Sequence, residues 1–376
     1  MTPRLLVSCG EASGDLYAGA LIRELRAMSH DVDVAGMGGP QFAAAGGRVL
    51  EDYRGLSVTG LTEAIGVIPR SLATIGRLAA SAREARPGAL VLIDFPDFNL
   101  PLARRVRKLG IPVVYYVSPQ LWAWRPGRMK TMRAVADRVL VIFPFEEAIY
   151  RAAGVPVEFV GHPLVDLAHA SQPRNVFLPS IGLAVDRPTV AILPGSRQNE
   201  IARLLPDLLR AADLVRAQVL DVQCVVARAP NLDDALFAAC GAANAVVVEQ
   251  DTDAVLASAD VALVASGTAT VQAALHDTPM VVVYRVSPTT YRIGRRLVKV
   301  DTFGMVNLIA GRRLVPELIQ DACTPEAIAR EAVSMLKDAD RAREIRVGLA
   351  EVRGRLGGAG ASRRAAEAIL KVMGAT

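Results

Sequence analysis

Short runs of apolar, largely β-branched residues alternate along the chain with longer segments of helical periodicity. In the first half these runs span residues 5–8, 90–93, 113–117 and 139–142. In the second half they span residues 190–193, 224–227, 246–248, 261–265 and 280–283. Runs that are apolar throughout are typical of parallel strands covered by helices on both faces of the sheet. The pattern therefore predicts an α/β protein with two doubly wound domains.

The periodicity lapses between the two halves, which indicates a domain boundary. After His162 the chain passes through a stretch with Pro173, Pro179 and Pro188 before the strand pattern resumes. We interpret this stretch as a linker. We expect an N-terminal Rossmann-like domain over residues 1–165 and a C-terminal one over residues 185–350. A final helix within residues 350–376 is expected to pack back on the first domain.

The composition is that of a folded globular protein. Of its 376 residues 52% are hydrophobic and 22% are charged, and the formal net charge is +5. This charge is too small for the broad basic face of a general nucleic-acid binder, so we expect no nucleic-acid partner. The four cysteines form no C-x-x-C pair. Their spacing argues against a zinc site or a disulfide framework and fits a reducing cytoplasm.

The apolar segments are too short to cross a membrane. The first run is interrupted by Gly10 and Glu11, too early for the core of a signal peptide. The stretch at residues 261–275 contains polar residues and falls short of the roughly 18 to 20 residues that a bilayer span requires. We therefore expect a cytoplasmic protein without a transmembrane helix.

The loops that follow the predicted strands carry most of the candidate chemistry. In open parallel sheets, ligands bind beyond the carboxyl ends of the strands. The polar, glycine-rich or acidic loops at these ends are residues 10–15, 94–99, 118–125, 194–197 and 266–268. We expect the functional groups to come from these five loops.

Two loops of the second half can receive an anion at a helix N-terminus. The loop at residues 194–197 leads into a helix with Glu200 in its first turn, and free backbone N–H groups at such an end attract phosphate. Arg197 either adds a bidentate phosphate contact or pairs with Glu200 on the surface. The turn at residues 266–268 offers a second N-terminus, whose small residues let a diphosphate come close. Together the two loops favour diphosphate binding.

Several cofactor sites are disfavoured by motifs that the sequence lacks. There is no G-x-x-x-x-G-K-[ST] loop, and residues 10–14 are not G-x-G-x-x-G, which argues against an ATPase or a NAD enzyme. The Asp-x-Asp pairs at residues 31–33, 251–253 and 338–340 are more typical of turns or helix caps than of a metal site. The histidines lack metal-ligand spacing. We expect neither a metal ion nor a cofactor.

The candidate general base lies in the second acidic loop. Asp97 follows an apolar strand, where apolar neighbours can raise the pKa of a carboxyl group. The alternative is that Asp97 or Asn99 caps the helix that begins near residue 100. In the first turn, Glu11, Ser13 and Asp15 either orient an acceptor or serve as ordinary helix caps.

Two segments can face a membrane. Between residues 65 and 78 apolar side chains recur near helical spacing and arginines accompany them, which suits an anionic interface. A second basic stretch runs from Arg285 to Lys299 without an acid, and includes Arg292, Arg295 and Arg296. Each segment is also compatible with an ordinary helix, the first packed on a sheet and the second with a solvated face.

Several long strings in the sequence are recognisable together. They are Gly-Glu-Ala-Ser-Gly-Asp at residues 10–15, Asp-Phe-Pro-Asp-Phe-Asn at 94–99, Tyr-Val-Ser-Pro-Gln-Leu-Trp-Ala-Trp-Arg at 116–125, Pro-Gly-Ser-Arg at 194–197 and Asn-Leu-Ile-Ala-Gly-Arg at 307–312. In the order and spacing of these strings the chain resembles the lipid-A-disaccharide synthases. The resemblance extends from near residue 4 to near residue 370, so it covers almost the whole chain.

The resemblance implies a GT-B glycosyltransferase in which two Rossmann-like domains face a central cleft. It implies transfer of 2,3-diacylglucosamine from UDP-2,3-diacylglucosamine to 2,3-diacylglucosamine 1-phosphate, giving a β-1,6 linked disaccharide 1-phosphate and UDP with inversion. Asp97 is then the expected base, and Glu11, Ser13 and Asn99 are expected to shape the acceptor side. The implied donor-binding residues are Gly195, Ser196, Arg197, Ser266, Gly267, Thr268, Gln272 and Asn307. No metal ion is implied, because an arginine and helix termini can neutralise the diphosphate.

The acyl chains of both substrates bear on the expected location. The resemblance implies an enzyme of lipid A biosynthesis, which serves the outer-membrane lipopolysaccharide. Acylated substrates favour peripheral docking on the cytoplasmic face of the inner membrane, through residues 65–78 and the second basic stretch. The sequence leaves open whether the chain forms a homodimer.

Two positions depart from the family pattern, and two alternative functions stay open. Gln272 stands where the family has a glutamate near the donor ribose, and an amide accepts from the hydroxyls more weakly than a carboxylate does. Met305 and Val306 replace a Leu-Pro pair, which removes a φ constraint from that loop. The alternatives are a UDP-sugar 2-epimerase of the same fold and a non-catalytic, membrane-associated nucleotide-binding protein.

Overall fold

Two compact units make up the described part of the chain. The computed structural model describes residues 4–29, 31–56, 61–119, 126–230, 232–286, 302 and 304–374, and for residues 61–65 and 126 it describes the backbone alone. Within these ranges, residues up to 165 and from 356 onward form the first unit, and residues between 166 and 355 form the second.

The first unit is built on a seven-stranded parallel sheet with the order β3-β2-β1-β4-β5-β6-β7. The strands are β1 (Arg4–Cys9), β2 (Asp33–Gly38), β3 (Arg48–Asp52), β4 (Ala89–Ile93), β5 (Val113–Tyr116), β6 (Arg138–Val141) and β7 (Val157–Phe159). The helices up to the unit boundary are α1 (Ala12–Met28), α2 (Pro40–Ala44), α3 (Leu61–Ala85), α4 (Pro96–Arg107), α5 (Met129–Val135), α6 (Pro144–Ala152) and α7 (Leu164–Leu167), and a 3₁₀ helix spans Pro126–Arg128.

The second unit is built on a six-stranded parallel sheet with the order β10-β9-β8-β11-β12-β13. The strands are β8 (Thr189–Leu193), β9 (Gln223–Arg228), β10 (Ala245–Glu249), β11 (Val261–Ala265), β12 (Met280–Tyr284) and β13 (Glu317–Ile319). The helices are α8 (Arg174–Ser180), α9 (Gln198–Arg216), α10 (Ala239–Ala242), α11 (Thr252–Ala257), α12 (Thr268–Leu275), α13 (Met305–Ala310), α14 (Pro325–Lys337) and α15 (Ala339–Arg355), with 3₁₀ helices at Asp234–Phe237 and Gln320–Ala322.

In each sheet the strands are first added towards one edge and then towards the other. The place where this order reverses indicates where a ligand binds. In the first unit the order changes between β1 and β4, and in the second between β8 and β11. At such a switch point the two following helices leave on opposite faces and open a crevice at the carboxyl ends of the strands. The loops after these four strands are residues 10–15, 94–99, 194–197 and 266–268, all singled out in the sequence.

The predicted fold class is confirmed, since both sheets are parallel and carry helices. Every predicted apolar run is a strand, and β4 and β8 are buried along their whole length. Four strands were not predicted: β2, β3, β7 and β13. In β2 the apolar pattern is broken by Gly36, where an added Cβ would lie 1.8 Å from the Val7 carbonyl oxygen. The other three are short edge strands that are mostly half-buried or exposed.

The last helix, α16 (Ala361–Val372), returns to the first unit and packs on α1. The Leu356 carbonyl accepts a hydrogen bond from the His162 backbone N–H at 2.8 Å. Arg364 donates from Nε to the Val160 carbonyl, also at 2.8 Å. The first unit is therefore formed by both ends of the chain.

The proline-containing stretch between the units is folded onto the second one. It includes α8, whose first residue, Arg174, donates to the Ser258 carbonyl at 2.9 Å and to the Asp260 carboxylate at 3.1 Å. These bonds tie the stretch to the residues that precede β11. The second unit therefore includes residues before 185, and the stretch is not a free linker.

Candidate active site

The loops that follow β1 and β4 meet at the carboxyl edge of the first sheet. Asp94 and Phe95 have φ angles of 46° and 47°, in the left-handed region, and the Phe95 ring lies against Gly10. A Cβ on Gly10 would be 2.1 Å from this ring, so the position requires glycine. Val117, after the adjacent β5, has φ 57°, which is rare for a β-branched residue. Such strain costs about 1–3 kcal/mol per residue and clusters at functional sites.

Asn99 is fully buried beneath this turn and connects it to β1. Its Oδ1 accepts a hydrogen bond from the Ser8 hydroxyl at 2.7 Å. Its Nδ2 donates to the carbonyl oxygens of Asp94 and Ile93 at 2.8 and 3.2 Å. Asn99 therefore holds the loop in place, and these bonds would have to break before it could contact a ligand.

Asp97 lies in the first turn of α4, beside this buried network. Its side chain is 70% exposed, and its Oδ1 accepts a hydrogen bond from the guanidinium of Arg128. We expected apolar surroundings for this carboxyl group. That expectation is wrong, because the carboxyl group faces solvent and the Arg128 guanidinium. Nor does Asp97 cap α4, whose N-cap residue is Phe95. An exposed carboxylate at a switch point is open to a substrate.

The first βα turn places its polar side chains in different surroundings. Glu11 is the N-cap residue of α1 and Ser13 follows in the first turn, both partly exposed. The Asp15 carboxylate is buried and accepts hydrogen bonds from the backbone N–H groups of Gly39 and Gln41 at 2.7 and 2.9 Å. Asp15 therefore stabilises the start of α2, and Glu11 and Ser13 remain at the edge of the site.

His162, to which the sequence assigned no role, lies in the turn after β7. Its ring is 2% exposed and lies 6.0 and 5.3 Å from the rings of Tyr17 and Phe143. The Leu164 backbone N–H donates to its Nδ1 at 3.1 Å, which assigns the proton of the neutral ring to Nε2. Burial lowers the pKa of the His162 imidazole to about 3. No metal or catalytic motif in the sequence marked this residue.

The loop after β5 is held by a short hydrogen-bonded chain. The Ser118 hydroxyl lies 2.5 Å from the Tyr150 hydroxyl, which in turn donates to the Pro119 carbonyl at 3.1 Å. Residues 120–125 of the motif that follows lie outside the described residues. The same holds for residues 287–301, which include Arg292, Arg295, Arg296 and Lys299 of the second basic stretch.

In the second unit the loops after β8 and β11 begin side by side, because Leu193 pairs with Val264. Arg197 donates from Nη1 to Glu200 Oε1 at 2.9 Å, and the Ser196 backbone N–H donates to Oε2 of the same carboxylate at 3.3 Å. Of the two alternatives that the sequence left open, this structure therefore contains the ion pair. The pair lies at the N-terminus of α9.

The turn after β11 leaves the N-terminus of α12 accessible. Gly267 is the N-cap residue of this helix and is exposed, and a Cβ built on it would meet no atom within 4 Å. The Thr270 hydroxyl donates to the Gly267 carbonyl at 2.8 Å and stabilises the first turn. Ser266 and Thr268, on either side, are partly exposed. An anion can therefore approach the backbone here.

Tyr284, at the end of β12, is a neighbour of this site that sequence reasoning missed. Burial raises the pKa of the Tyr284 hydroxyl, and the Glu200 carboxylate raises it further. The next residue, Arg285, donates to the Asp207 carboxylate and to the Cys323 carbonyl. The segment from Arg285 to Lys299 itself contains no acid, but Arg285 is paired with a carboxylate from elsewhere in the second unit.

Comparison with known proteins decides the family. The family model of lipid-A-disaccharide synthetases matches residues 5–372. A protein of Myxococcus xanthus (strain DK1622) named lipid-A-disaccharide synthase is 46% identical over 375 residues, which cover 99% of this chain and 98% of that protein. The chain belongs to the lipid-A-disaccharide synthetase family. It is therefore a glycosyltransferase of lipid A biosynthesis that acts on sugar precursors of lipid A.

Solved structures outside this family share the fold. The UDP-GlcNAc 2-epimerase of Neisseria meningitidis bound to UDP-GlcNAc has a TM-score of 0.71 at 12% identity, covering 98% of this chain and 100% of that one. The glycotransferase of kitacinnamycin has a TM-score of 0.65 at 18% identity, covering 99% and 100%. At these identities only the GT-B type fold is shared. The epimerase alternative thus has a fold match alone, whereas the synthetase family matches nearly the whole sequence.

Gln272, where the resemblance implied a glutamate, lies beside the Asp253 carboxylate. Its Nε2 is 3.3 and 3.4 Å from the two carboxylate oxygens of Asp253, and His276 Nε2 is 2.8 Å from Oδ1. A glutamate at position 272 would face Asp253 with the same charge, whereas the amide donates to it. With glutamine at position 272, this part of the second unit still contains one carboxylate, that of Asp253.

Asn307 is buried, and both ends of its amide are engaged. Its Oδ1 accepts from the backbone N–H groups of Leu314 and Val315 at 2.8 and 2.9 Å. Its Nδ2 donates to the Val315 carbonyl at 2.9 Å and to Glu317 Oε1 at 2.7 Å. Asn307 therefore joins α13 to the residues at and just before the start of β13.

Two of the three Asp-x-Asp pairs include a helix-capping residue, as predicted. Asp251 accepts from the Ala254 backbone N–H at 3.2 Å at the start of α11. Asp338 accepts from the Arg341 N–H at 3.0 Å at the start of α15. Within the described ranges of the chain, no group of three or more His, Cys, Asp and Glu residues is placed to hold a metal ion.

The apolar side of helix α3 is buried towards the end of the helix and exposed nearer its start. Ile75 and Leu78 belong to the core under the first sheet. One to two turns earlier, Ile68 and Leu72 are 50% and 51% exposed. The side chain of Ile65 lies outside the described residues. None of the helices in the described ranges is long and apolar enough to span a bilayer.

Proposed function

We propose that this chain transfers 2,3-diacylglucosamine from UDP-2,3-diacylglucosamine to the 6-hydroxyl of 2,3-diacylglucosamine 1-phosphate, with inversion and release of UDP. A single displacement of this kind needs a base for the hydroxyl proton and a site for the departing diphosphate. The observation that carries the proposal is that each unit offers one of these groups at its switch point: Asp97 in the first, and Arg197 in the second.

On the donor side, the diphosphate binds at the N-termini of α9 and α12. Gly267 leaves open space above the α12 turn, and a helix end stabilises an anion through its free N–H groups and its dipole. Arg197 adds a guanidinium that can hold two phosphate oxygens. Because these groups supply positive charge themselves, the proposed reaction needs neither a metal ion nor a cofactor. Ser196 and Gln272 complete the donor side.

On the acceptor side, Asp97 takes the proton of the 6-hydroxyl. Its exposure lets a hydroxyl approach, and its place in the first turn of α4 is fixed by the buried Asn99 amide. Arg128 has to share this carboxylate with the incoming hydroxyl. Glu11 and Ser13, partly exposed at the neighbouring loop, line the acceptor sugar. The departing oxygen of UDP is stabilised by Arg197 as its charge develops.

The acyl chains stay in contact with the membrane during the reaction. Ile68 and Leu72 form an exposed apolar pair on α3, and Arg70 lies between them in sequence, a combination that suits an anionic lipid interface. The protein is then peripheral on the cytoplasmic face of the inner membrane. The proposal does not require a homodimer.

The reaction is tested by incubating the purified protein with both acylated substrates, with EDTA throughout, and detecting the disaccharide by mass spectrometry. We expect the disaccharide 1-phosphate and UDP in equal amounts, and no donor consumption without the acceptor. A UDP-sugar 2-epimerase would instead convert a soluble UDP-sugar alone. A non-catalytic binding protein would bind UDP and form no product.

The role of Asp97 is tested by Asp97→Asn. We expect kcat to fall at least roughly a hundredfold, the usual scale for a general base, while UDP binding is retained. The matched control is Asp340→Asn, which removes another exposed carboxylate from the first turn of a helix, where it pairs with Arg343. This control should keep wild-type turnover. Near-normal turnover of Asp97→Asn would remove Asp97 from the mechanism.

A further inference from the structure

The Glu200 carboxylate is folded back over the turn between β8 and α9. Oε1 accepts from Arg197 Nη1 at 2.9 Å, and Oε2 accepts from the Ser196 backbone N–H at 3.3 Å. The Glu200 side chain is only 14% exposed. A Cβ on Gly195, whose φ is +122°, would lie 2.8 Å from Oε2. The glycine therefore leaves room for an anion directly over this turn, and the carboxylate fills that room.

The Glu200 carboxylate is held by a backbone N–H group at a helix N-terminus and by a guanidinium. Both kinds of donor also bind phosphate groups in proteins. A helix N-terminus offers backbone N–H groups to any anion. A guanidinium pairs equally well with two oxygens of a carboxylate or of a phosphate. A diphosphate and Glu200 would therefore compete for Arg197 and for the Ser196 N–H. The two anions would also repel each other if both stayed there.

We propose that Glu200 is an internal substitute for the donor diphosphate. In the empty site it holds Arg197 and the turn in their binding geometry, and the incoming UDP-sugar displaces it. This inference rests on the proposed function, because it takes the diphosphate to bind at Arg197. After displacement, Glu200 is still attached to the first turn of α9, so its charge lies close to the bound diphosphate. Glu200 thus weakens UDP binding and speeds the release of the product UDP.

The test compares UDP and uridine binding to the Glu200→Gln variant by calorimetry. The amide keeps the size of the side chain and loses the charge, so we expect the Kd of UDP to fall at least about tenfold, roughly 1.4 kcal/mol. Uridine has no diphosphate and should bind the variant as it binds the wild type. In turnover, the donor KM and kcat should both fall, because UDP leaves more slowly.

The matched control removes a carboxylate from the other end of the same helix. Asp213 pairs with Arg216 at 2.7 Å near the end of α9. Asp213→Asn makes the same change in net charge as Glu200→Gln, and it should leave the Kd of UDP unchanged. A tightening shared by both variants would be a long-range effect of net charge and would overturn the proposal.

Other results would also contradict the role of Glu200. Unchanged or weaker UDP binding by Glu200→Gln would mean that the carboxylate only holds Arg197 in place. A change for uridine as large as that for UDP would mean a general structural effect. If Glu200→Gln does not fold, Glu200→Ala, which also removes the charge, has to show the tightening.

Failure of the proposed function would look different from failure of this inference. In that case the wild type binds no UDP, or Arg197→Ala leaves the Kd of UDP unchanged. If the wild type binds UDP through Arg197 and Glu200→Gln binds it no more tightly, only the role of Glu200 is refuted.

Discussion

Replacing Asn99 by alanine should destabilise the first unit by about 2 kcal/mol. The side chain is fully buried and has three good hydrogen bonds, with the Ser8 hydroxyl and the carbonyls of Asp94 and Ile93. In the variant the Asp94 carbonyl keeps the Tyr115 hydroxyl as a donor at 2.7 Å, so the Ser8 hydroxyl and the Ile93 carbonyl are the two groups that lose this partner. A buried polar group that loses its partner costs about 1–3 kcal/mol, and the low end applies because water can enter the space of the lost amide. Two groups at about 1 kcal/mol each give the total.

The same substitution should slow catalysis less than Asp97→Asn does. Asn99 holds the left-handed turn at Asp94 and Phe95 from which α4 begins, and so it fixes the position of Asp97 two residues before it. A misplacement of about 1 Å can cost up to about a hundredfold in rate. We expect kcat to fall about tenfold to a hundredfold, with UDP binding unchanged, since the proposed donor site lies in the second unit.

Thermal unfolding and chemical denaturation measure the loss of stability. In a unit of this size about 2 kcal/mol corresponds to a fall in Tm of roughly 4–8 °C. The matched variant is Ser8→Ala, which removes a single partner of the network and should cost about 1 kcal/mol. In the double variant the two losses of stability should not add. Asn99→Ala alone leaves the Ser8 hydroxyl without its partner, and the double variant no longer has that hydroxyl.

The interpretation of Asn99 fails if Asn99→Ala costs no more stability than Ser8→Ala, or if the two losses add fully. It also fails if Asn99→Ala keeps wild-type stability and loses as much activity as Asp97→Asn. That combination would mean that the amide contacts the substrate directly instead of supporting the turn.

Two further predictions concern pH and the membrane. The pKa of His162 is about 3 in the folded state and about 6.5 in the unfolded chain, so the unfolded state binds the extra proton. Its contribution to stability is complete above about pH 6.5 and should fall by about 1.4 kcal/mol per pH unit below it, down to about pH 3. Urea unfolding at pH 7 and 5 should show a smaller difference for His162→Gln than for the wild type; an equal difference would contradict the burial argument. For the membrane, the double variant Ile68→Asp with Leu72→Asp should abolish co-sedimentation with phosphatidylglycerol vesicles. The control Leu220→Asp, at a residue 83% exposed on the second unit, should leave co-sedimentation unchanged. If the double variant still binds vesicles, this face of α3 is not the membrane-binding surface.

The central strands could be predicted from the sequence because they are buried on both faces. Residues 190–193 and 261–265 are apolar at every position, and so short a continuous run between helical segments is typical of a strand buried on both faces. Strand β2 escaped this criterion. Gly36 is needed there because the Val7 carbonyl approaches too closely for a side chain, and such a close approach leaves no apolar signal. Edge strands such as β13 were missed because they are short and only half-buried, so they contain no continuous apolar run.

The loops of the site could also be predicted, but not the partners of their side chains. A switch point is a property of strand order, and the polar loops after β1, β4, β8 and β11 followed from that rule. The pairing of Asp97 with Arg128 joins residues 31 positions apart. The Asp15 carboxylate stabilises a helix 24 to 27 residues further along the chain. Such contacts depend on tertiary packing, on which local sequence patterns carry no information.

These partners change the electrostatic character of the site. Arg197 carries the charge needed for a diphosphate, and Asp97 carries the charge needed for a base. Each is already paired with an opposite charge from its own unit, Glu200 in one case and Arg128 in the other. In the proposed reaction the substrates therefore exchange ion pairs instead of adding charges to an unpaired site. A ligand without phosphate leaves the Glu200–Arg197 pair in place and gains no contact with Arg197, which favours phosphorylated sugars over neutral ones.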